Sequence, residues 1–242
     1  MKKLFWFLAI VPLFGLVMSC NNSLLSSGDT AGGAAMDRAI SGISWSPWYI
    51  QEPDGSTHTG ISGLSNTWFY TDGSYQAFAD PNTGVTTSGS SHPRSELHES
   101  SDWSSSGTNK MSATARVTKA GSAGITIGQV FCDSGAHTLA ELQYTTGGFA
   151  VLYEEVKGSA TTTSIGGKVG LNTAFTYSMA FSGGKLTITA NGATYTHTPT
   201  SSGAAGTFYF KAGNYDQGAT SGSVSSTIHS IVELSKLSVS HS

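Results

Sequence analysis

The feature that most constrains this chain is a side-chain alternation of period two that recurs from about residue 40 onward, while no helical period is sustained. Met111, Ala113, Ala115 and Val117 alternate with Ser112, Thr114, Arg116 and Thr118, and Phe175, Tyr177, Met179 and Phe181 alternate with Thr176, Ser178 and Ala180. Consecutive strand residues point to opposite faces, so each segment has one apolar face that must be covered and one polar face that need not be. The turn signals agree. Asn191-Gly192 sits between two alternating runs within residues 185–197, and a type I′ turn needs positive φ at both of its central positions. Asp72-Gly73, Gly147-Gly148, Gly166-Gly167 and Gly183-Gly184 mark further turns, and residues 227–239 read as a closing strand. With 30 glycines and only 11% charged residues among 242, a helical bundle or coiled coil is disfavoured, while 38% apolar residues exclude a solvated disordered chain. The expectation is one all-β domain over residues 38–242, an antiparallel two-sheet sandwich of jelly-roll or related type, without internal repeats.

Residues before that domain read differently. Lys2 and Lys3 precede an apolar run from Leu4 to Met18, broken by Pro12 and Gly15, and small Ser19 precedes Cys20. A charged start and an apolar stretch too short to span a bilayer comfortably predict an export signal over residues 1–19. A Cys directly after a small residue resembles a bacterial lipoprotein processing site, at which Cys20 becomes the lipid-bearing N-terminus; ordinary cleavage and secretion are the alternative. Residues 20–37, rich in Ser, Gly and Ala, read as a flexible tether. The expected product is an exported monomer, periplasmic or at the cell surface, that meets the membrane only through its lipid. Cys132 is then left without a disulfide partner, so stability must come from the core.

The formal charge is −3, and −5 once Lys2 and Lys3 are removed, so no basic field marks a nucleic-acid partner. An anionic partner has to be attracted locally. Three segments carry polar residues where most strands show only Ser or Thr. In His92-Pro93-Arg94-Ser95-Glu96-Leu97-His98-Glu99, strand geometry puts Arg94, Glu96 and His98 on one face, and a solvated Arg94/Glu96 pair is the plain alternative. In Ile127-Gly128-Gln129-Val130-Phe131, Gln129 and Phe131 share a side. In the third segment, Tyr209, Lys211, Gly213, Tyr215 and Gln217 line one face, with Phe210 and Ala212 opposite. Rings that stack on sugars, next to Lys and Gln that reach carboxylates and hydroxyls, make a sugar-binding surface, and Gly213 there leaves room for a ligand or a bend. Residues 218–226, rich in Gly and Ser, read as a mobile lid. Arg94 and Lys211, joined by Arg116, are the cations expected to face the groove. The other histidines show no metal-ligand spacing, and no phosphate loop or GxSxG appears, so an enzyme without metal or cofactor is the simplest expectation. Asp133 and Glu154-Glu155 lack any spacing that suggests glycosidase carboxylates or a Ca²⁺ site.

Arg94-Ser95-Glu96-Leu97, Gln129-Val130 and Tyr209-Phe210-Lys211-Ala212-Gly213-Asn214-Tyr215-Asp216-Gln217 together resemble, in order and separation, the three signature regions of the alginate lyases of polysaccharide lyase family 7. The resemblance spans roughly residues 40–242. It implies a β-jelly roll whose concave sheet holds an anionic polysaccharide, alginate or a related polyuronate, and a cofactor-free β-elimination that leaves unsaturated uronate ends. It implies Tyr215, Arg94 and Gln129 as the catalytic set, and Lys211, Glu96, His98, Gln217 and Tyr209 as substrate contacts. The chemistry explains the residue types. A C5 proton beside an ionised carboxylate is a very weak acid, so Arg94 and Gln129 would neutralise that carboxylate and stabilise the enediolate. Tyr215 would take the proton and return it to the leaving oxygen, with its pKa of ~10 expected to be lowered by Arg94 and Lys211.

Two positions depart from the pattern. Phe131 stands where the family's second motif normally ends in His, and His98 where the first usually has Arg or another polar residue. In mannuronate and glucuronate the C5 proton and the C4 oxygen lie on one face, so one Tyr serves both; in guluronate they lie on opposite faces and a second group, usually that His, is needed. A poly(β-D-mannuronate) lyase type is therefore expected, with His98 as a bypass because it shares Arg94's face. A glucuronan lyase and a non-catalytic carbohydrate-binding jelly roll are the rival readings.

Overall fold

The computed structural model describes residues 40–242; the expected export signal, Cys20 and most of the expected tether lie outside the described residues. The described elements are all strands: β1 (Trp48–Gln51), β2 (Thr57–His58), β3 (Phe69–Asp72), β4 (Tyr75–Pro81), β5 (Thr83–Gly84), β6 (Ser95–Glu99), β7 (Trp103–Ser104), β8 (Thr108–Lys119), β9 (Ile125–Cys132), β10 (His137–Thr145), β11 (Gly148–Tyr153), β12 (Thr161–Gly166), β13 (Phe175–Ser182), β14 (Lys185–Ala190), β15 (Ala193–His197), β16 (Thr207–Asp216), β17 (Thr220–Ser221) and β18 (Ile228–His241).

They form two large antiparallel sheets. The nine-stranded sheet runs β12-β11-β10-β9-β16-β6-β1-β2, with β7 also on β16, and the seven-stranded sheet runs β15-β14-β13-β8-β18-β4-β3. The alternation has its cause in the space between them. Met111, Ala113, Ala115 and Val117 of β8 and Phe175, Tyr177, Met179 and Phe181 of β13 are all buried in one core with Leu97, Val130, Phe210 and Ala212 from the other sheet. The Asn191-Gly192 hairpin forms as expected, with φ of 44° and 82°, and joins β14 to β15 with Ala190 opposite Ala193.

For the site, the decisive topological fact is that β16 lies between β6 and β9. Residues more than 80 positions apart in the chain thus become cross-strand neighbours: Lys211 is opposite His98 on β6 and opposite Gln129 on β9. Gln129 in turn faces Glu141 on β10. One irregularity matters. Gly128 pairs with Leu142 but Thr126 with Gln143, which leaves Ile127 as an extra residue in β9.

Candidate active site

Leu97 and Ala212 enter the core, so Arg94, Glu96, His98, Tyr209 and Lys211 occupy the face of the nine-stranded sheet turned away from it. At the centre of that face lies Glu96, 1% exposed. Its Oε2 accepts from Arg94 Nη1 at 2.7 Å and lies 3.9 Å from Lys211 Nζ, while its Oε1 accepts from Gln129 Nε2 at 2.6 Å. Thr138 Oγ1 donates to Gln129 Oε1 at 3.2 Å, which fixes the amide with its nitrogen toward Glu96. Glu96, expected as a substrate contact, thus spends both oxygens on the three groups expected to meet the substrate.

Tyr215 joins this cluster through Arg94 and a residue the sequence did not single out. The Arg94 guanidinium lies 4.1 Å over the Tyr215 ring, and Arg94 Nη2 and Tyr215 Oη both reach Ser90 Oγ, at 2.9 and 3.0 Å. Arg94 Nε is buried without an acceptor among the described residues. Burial pushes the Tyr215 phenol above its ordinary value, against the opposing pull of the Ser90 hydrogen bond and the Arg94 charge. The expected lowering of Tyr215 is therefore overturned: removal from water outweighs the neighbouring cation. Burial likewise takes Lys211 down to about 8, with repulsion from Arg94 adding to it and Glu96 and Glu141 opposing.

The other flank is aromatic. Tyr49, His98, Tyr209 and Phe131, from β1, β6, β16 and β9, stack in succession with centroids 4.5, 3.9 and 5.0 Å apart. Lys211 Nζ sits 4.9 Å from the Phe131 ring centroid. His98 Nδ1 meets the Glu99 carbonyl at 2.7 Å. Burial and the charges of Lys211 and Arg94 hold His98 down to about 4, so it is neutral at pH 7. Gln217 donates to Thr126 Oγ1 at 3.1 Å, and Thr126 donates to Glu141 at 2.6 Å.

Three expectations fail here for physical reasons. Arg116 does not face this cluster; it lies on β8 of the other sheet, bonded to Glu233 and to Asp72. Gly213 leaves no room for a ligand: with φ of +139°, a Cβ there would lie 2.8 Å from the Ser95 carbonyl oxygen and 3.0 Å from Phe78, so its bareness serves the close approach to β6 and the other half of the expectation, a bend, where the β16–β9 register shifts between Ala212 and Tyr215. Residues 218–226 are not a free lid. β17 within them pairs in parallel with β5, backbone bonds join Gly222 to Gly84 and Ser225 to Thr83 at 2.9 Å, and His92 Nδ1 meets the Ala219 carbonyl at 2.6 Å. Sequence reasoning also missed Ser90, Tyr49, Thr126, Thr138 and Glu141; of these only Tyr49, an aromatic on an outward strand position, left a readable signal. Two depressions elsewhere lack comparable chemistry. One of 320 Å³ on the seven-stranded sheet is lined by Ser, Thr, Lys110, Lys236, Ala113 and Tyr177, and in one of 420 Å³ Glu155 is tied to His197 and Thr200.

A family model described as alginate lyase matches residues 43–241. Among solved structures, the chain is similar to the alginate lyase A1-II′ of polysaccharide lyase family 7, at 28% identity over 81% of this chain and 95% of that one, with a TM-score of 0.72. It is similar to an alginate lyase from Pseudomonas aeruginosa at 26% identity, covering 82% of this chain and all of that one, with a TM-score of 0.74. A variant of A1-II′ solved with a substrate written GGMG is 27% identical, covering 82% and 94% of the two chains, with a TM-score of 0.72. A comparison with curated proteins returns no match.

Proposed function

The chain belongs to the alginate lyases of polysaccharide lyase family 7 and is a β-jelly-roll polysaccharide lyase, and from that premise we propose how its residues carry the elimination and which linkage it prefers. Arg94 has five N–H donors and gives one each to Glu96 and Ser90. Its remaining donors, the second amide hydrogen of Gln129 and the Lys211 ammonium hold the uronate carboxylate, lower its electron density and stabilise the enediolate as C5 loses its proton. Glu96 is a positioning residue: it sets the spacing of all three donors. Tyr215, as phenolate, takes the C5 proton. The C5–H electron pair becomes the C4–C5 double bond, the bond from C4 to its glycosidic oxygen breaks, and Tyr215 returns the proton to that oxygen.

The observation that carries this reading is the convergence of Tyr215 Oη and Arg94 Nη2 on one hydroxyl, at 3.0 and 2.9 Å, beside the Glu96 cluster. One residue serving as base and acid suits linkages whose C5 proton and C4 oxygen share a face. The ring of Phe131 offers no proton to a second face, and His98, with a pKa of about 4, is a weak base at neutral pH. A mannuronate-type preference follows. The N-terminal sequence supports export and attachment through a lipid on Cys20, with the lyase domain acting as a monomer.

The ultraviolet absorbance of the new double bond tests both parts. Polymannuronate is expected to turn over at least about tenfold faster than polyguluronate, and Tyr215→Phe to lose about 10²- to 10⁴-fold in kcat. Equal rates on the two polymers overturn the preference; an active Tyr215→Phe overturns the mechanism.

A further inference from the structure

The Ser90 hydroxyl is held by a tight turn over residues 87–90. The Ser90 backbone N–H closes the turn on the Thr87 carbonyl at 3.0 Å, and Gly89, at the third position, has φ of +78°, as a type II turn requires. This turn, between β5 and β6, holds Ser90 Oγ within reach of four groups: the His92 carbonyl at 2.9 Å, Arg94 Nη2 at 2.9 Å, Tyr215 Oη at 3.0 Å and the His92 N–H at 3.4 Å. A hydroxyl has one proton and two lone pairs, so it cannot serve all four at once.

Donor and acceptor chemistry limits the assignments. The His92 carbonyl only accepts, Arg94 Nη2 and the His92 N–H only donate, and Tyr215 Oη does either. With Tyr215 neutral, Ser90 can give its proton to the His92 carbonyl and take hydrogen bonds from Arg94 and the Tyr215 hydroxyl. With Tyr215 ionised, Ser90 turns its proton to the phenolate and its lone pairs are filled by Arg94 and the His92 N–H. Ser90 is fully satisfied in both arrangements, and they differ by one rotation of its hydroxyl. We propose that Ser90 is the positioning residue for Tyr215, a hydroxyl rotor that follows the tyrosine's proton and holds the ring oxygen in place in both halves of the elimination. The inference rests on the reading of Tyr215 as base and acid. Ser90 keeps its own proton throughout; only the C5 proton changes owner, from carbon to Tyr215 to the leaving oxygen.

The two states are unequal in strength. A hydrogen bond to a phenolate is charge-assisted and stronger than one to a carbonyl, so Ser90 works against the burial that disfavours the charged form. The other charged or titratable groups around Tyr215 are Arg94 over its ring, Glu96 and Glu141 across the sheet, the His92 ring 5.7 Å away and Lys211 on its own strand. Of these side chains only Arg94 bonds to the Ser90 hydroxyl.

The test compares wild type, Ser90→Ala, Ser90→Thr and Tyr215→Phe, as full-length protein on polymannuronate, with kcat and KM measured from pH 6 to 10 and folding checked by circular dichroism. Ser90→Ala is expected to lower kcat about 10- to 100-fold with KM within about threefold, and to move the ascending limb of the kcat profile alkaline by about one pH unit. Ser90→Thr, which keeps the hydroxyl, is expected to restore the wild-type limb. If Tyr215→Phe is inactive but Ser90→Ala keeps the wild-type kcat and limb, the Ser90 role falls and the Tyr215 reading stands. A drop in kcat without movement of the limb, or an equal drop in Ser90→Thr, reduces Ser90 to a structural residue and also overturns the inference. An active Tyr215→Phe overturns both readings together.

Discussion

Glu96 and Lys211 define the cost and the opportunity of a buried anion site. A carboxylate 1% exposed is tolerable only when paired, and the guanidinium, the amide and the ammonium that pair with it here are the groups proposed to hold an incoming uronate. Lys211 sits 5% exposed between Glu96 and the Phe131 and Tyr209 rings. Its pKa of about 8 means that the free enzyme loses a cleft cation just above neutral pH. The sign follows directly. Below pH 8 the ammonium is charged and attracts the substrate carboxylate; above it the neutral amine does not, so KM should double near pH 8 and approach tenfold by about pH 9, while kcat still rises as Tyr215 ionises. Lys211→Arg keeps its charge throughout that range and is expected to show a flat KM, whatever its absolute value. Steady-state kinetics across pH 7–9.5 check this, and an equal climb in Lys211→Arg would remove Lys211 as its source.

At the scale of elements, the site depends on irregularities. The extra residue Ile127 breaks the alternation of β9, so that Thr126 and Gln129, three positions apart, both reach Glu residues on the same face. The carbonyl of Ile127 accepts at 2.9 Å from the hydroxyl of Tyr177, which crosses from the other sheet and is 2% exposed. Tyr177→Phe leaves that buried carbonyl without its donor, which should cost about 1–3 kcal/mol and lower the Tm by roughly 2–10 °C for a domain of this size. Thermal unfolding followed by circular dichroism measures it, and an unchanged Tm means the bulge is held by other contacts. The same irregularities mark how far the sequence could be read. Alternation was sufficient to put Arg94, Glu96, His98, Tyr209 and Lys211 on one face, because β6 and β16 are regular there. It could not reach Thr126 or Glu141, where bulges in the β9–β10 ladder reset the parity. Ser90 stands in a turn, where no periodicity exists, and the raised pKa of Tyr215 depends on burial that only the assembled sheets create. The anchoring of residues 218–226 was hidden for a similar reason: its parallel partner, β5, is two residues long.

Across the whole molecule, the charge runs against the substrate. The chain carries a formal −3, or −5 if the export signal is removed with Lys2 and Lys3, and its substrate is a polyanion. Among the described cations, Arg94 and Lys211 are buried at the cluster and paired with Glu96, Lys110, Arg116, Lys119, Lys185 and Lys236 lie on strands of the seven-stranded sheet, and Lys157 and Lys168 flank β12. The net charge therefore gives alginate no long-range attraction; at a distance the two partners repel. The contacts made after arrival are between buried groups and are screened little by salt, but the approach takes place through solvent, where the Debye length falls from about 30 Å at 0.01 M to about 10 Å at 0.1 M. Added salt should then assist the encounter without weakening the bound state. For wild type at fixed pH, kcat/KM on short mannuronate oligomers is expected to rise about two- to fivefold between about 10 and 150 mM NaCl, a range in which an electrostatically steered enzyme slows. A steady fall over the same range would mean that the cleft cations project a field well beyond Glu96, and that local focusing rather than close contact recruits the substrate.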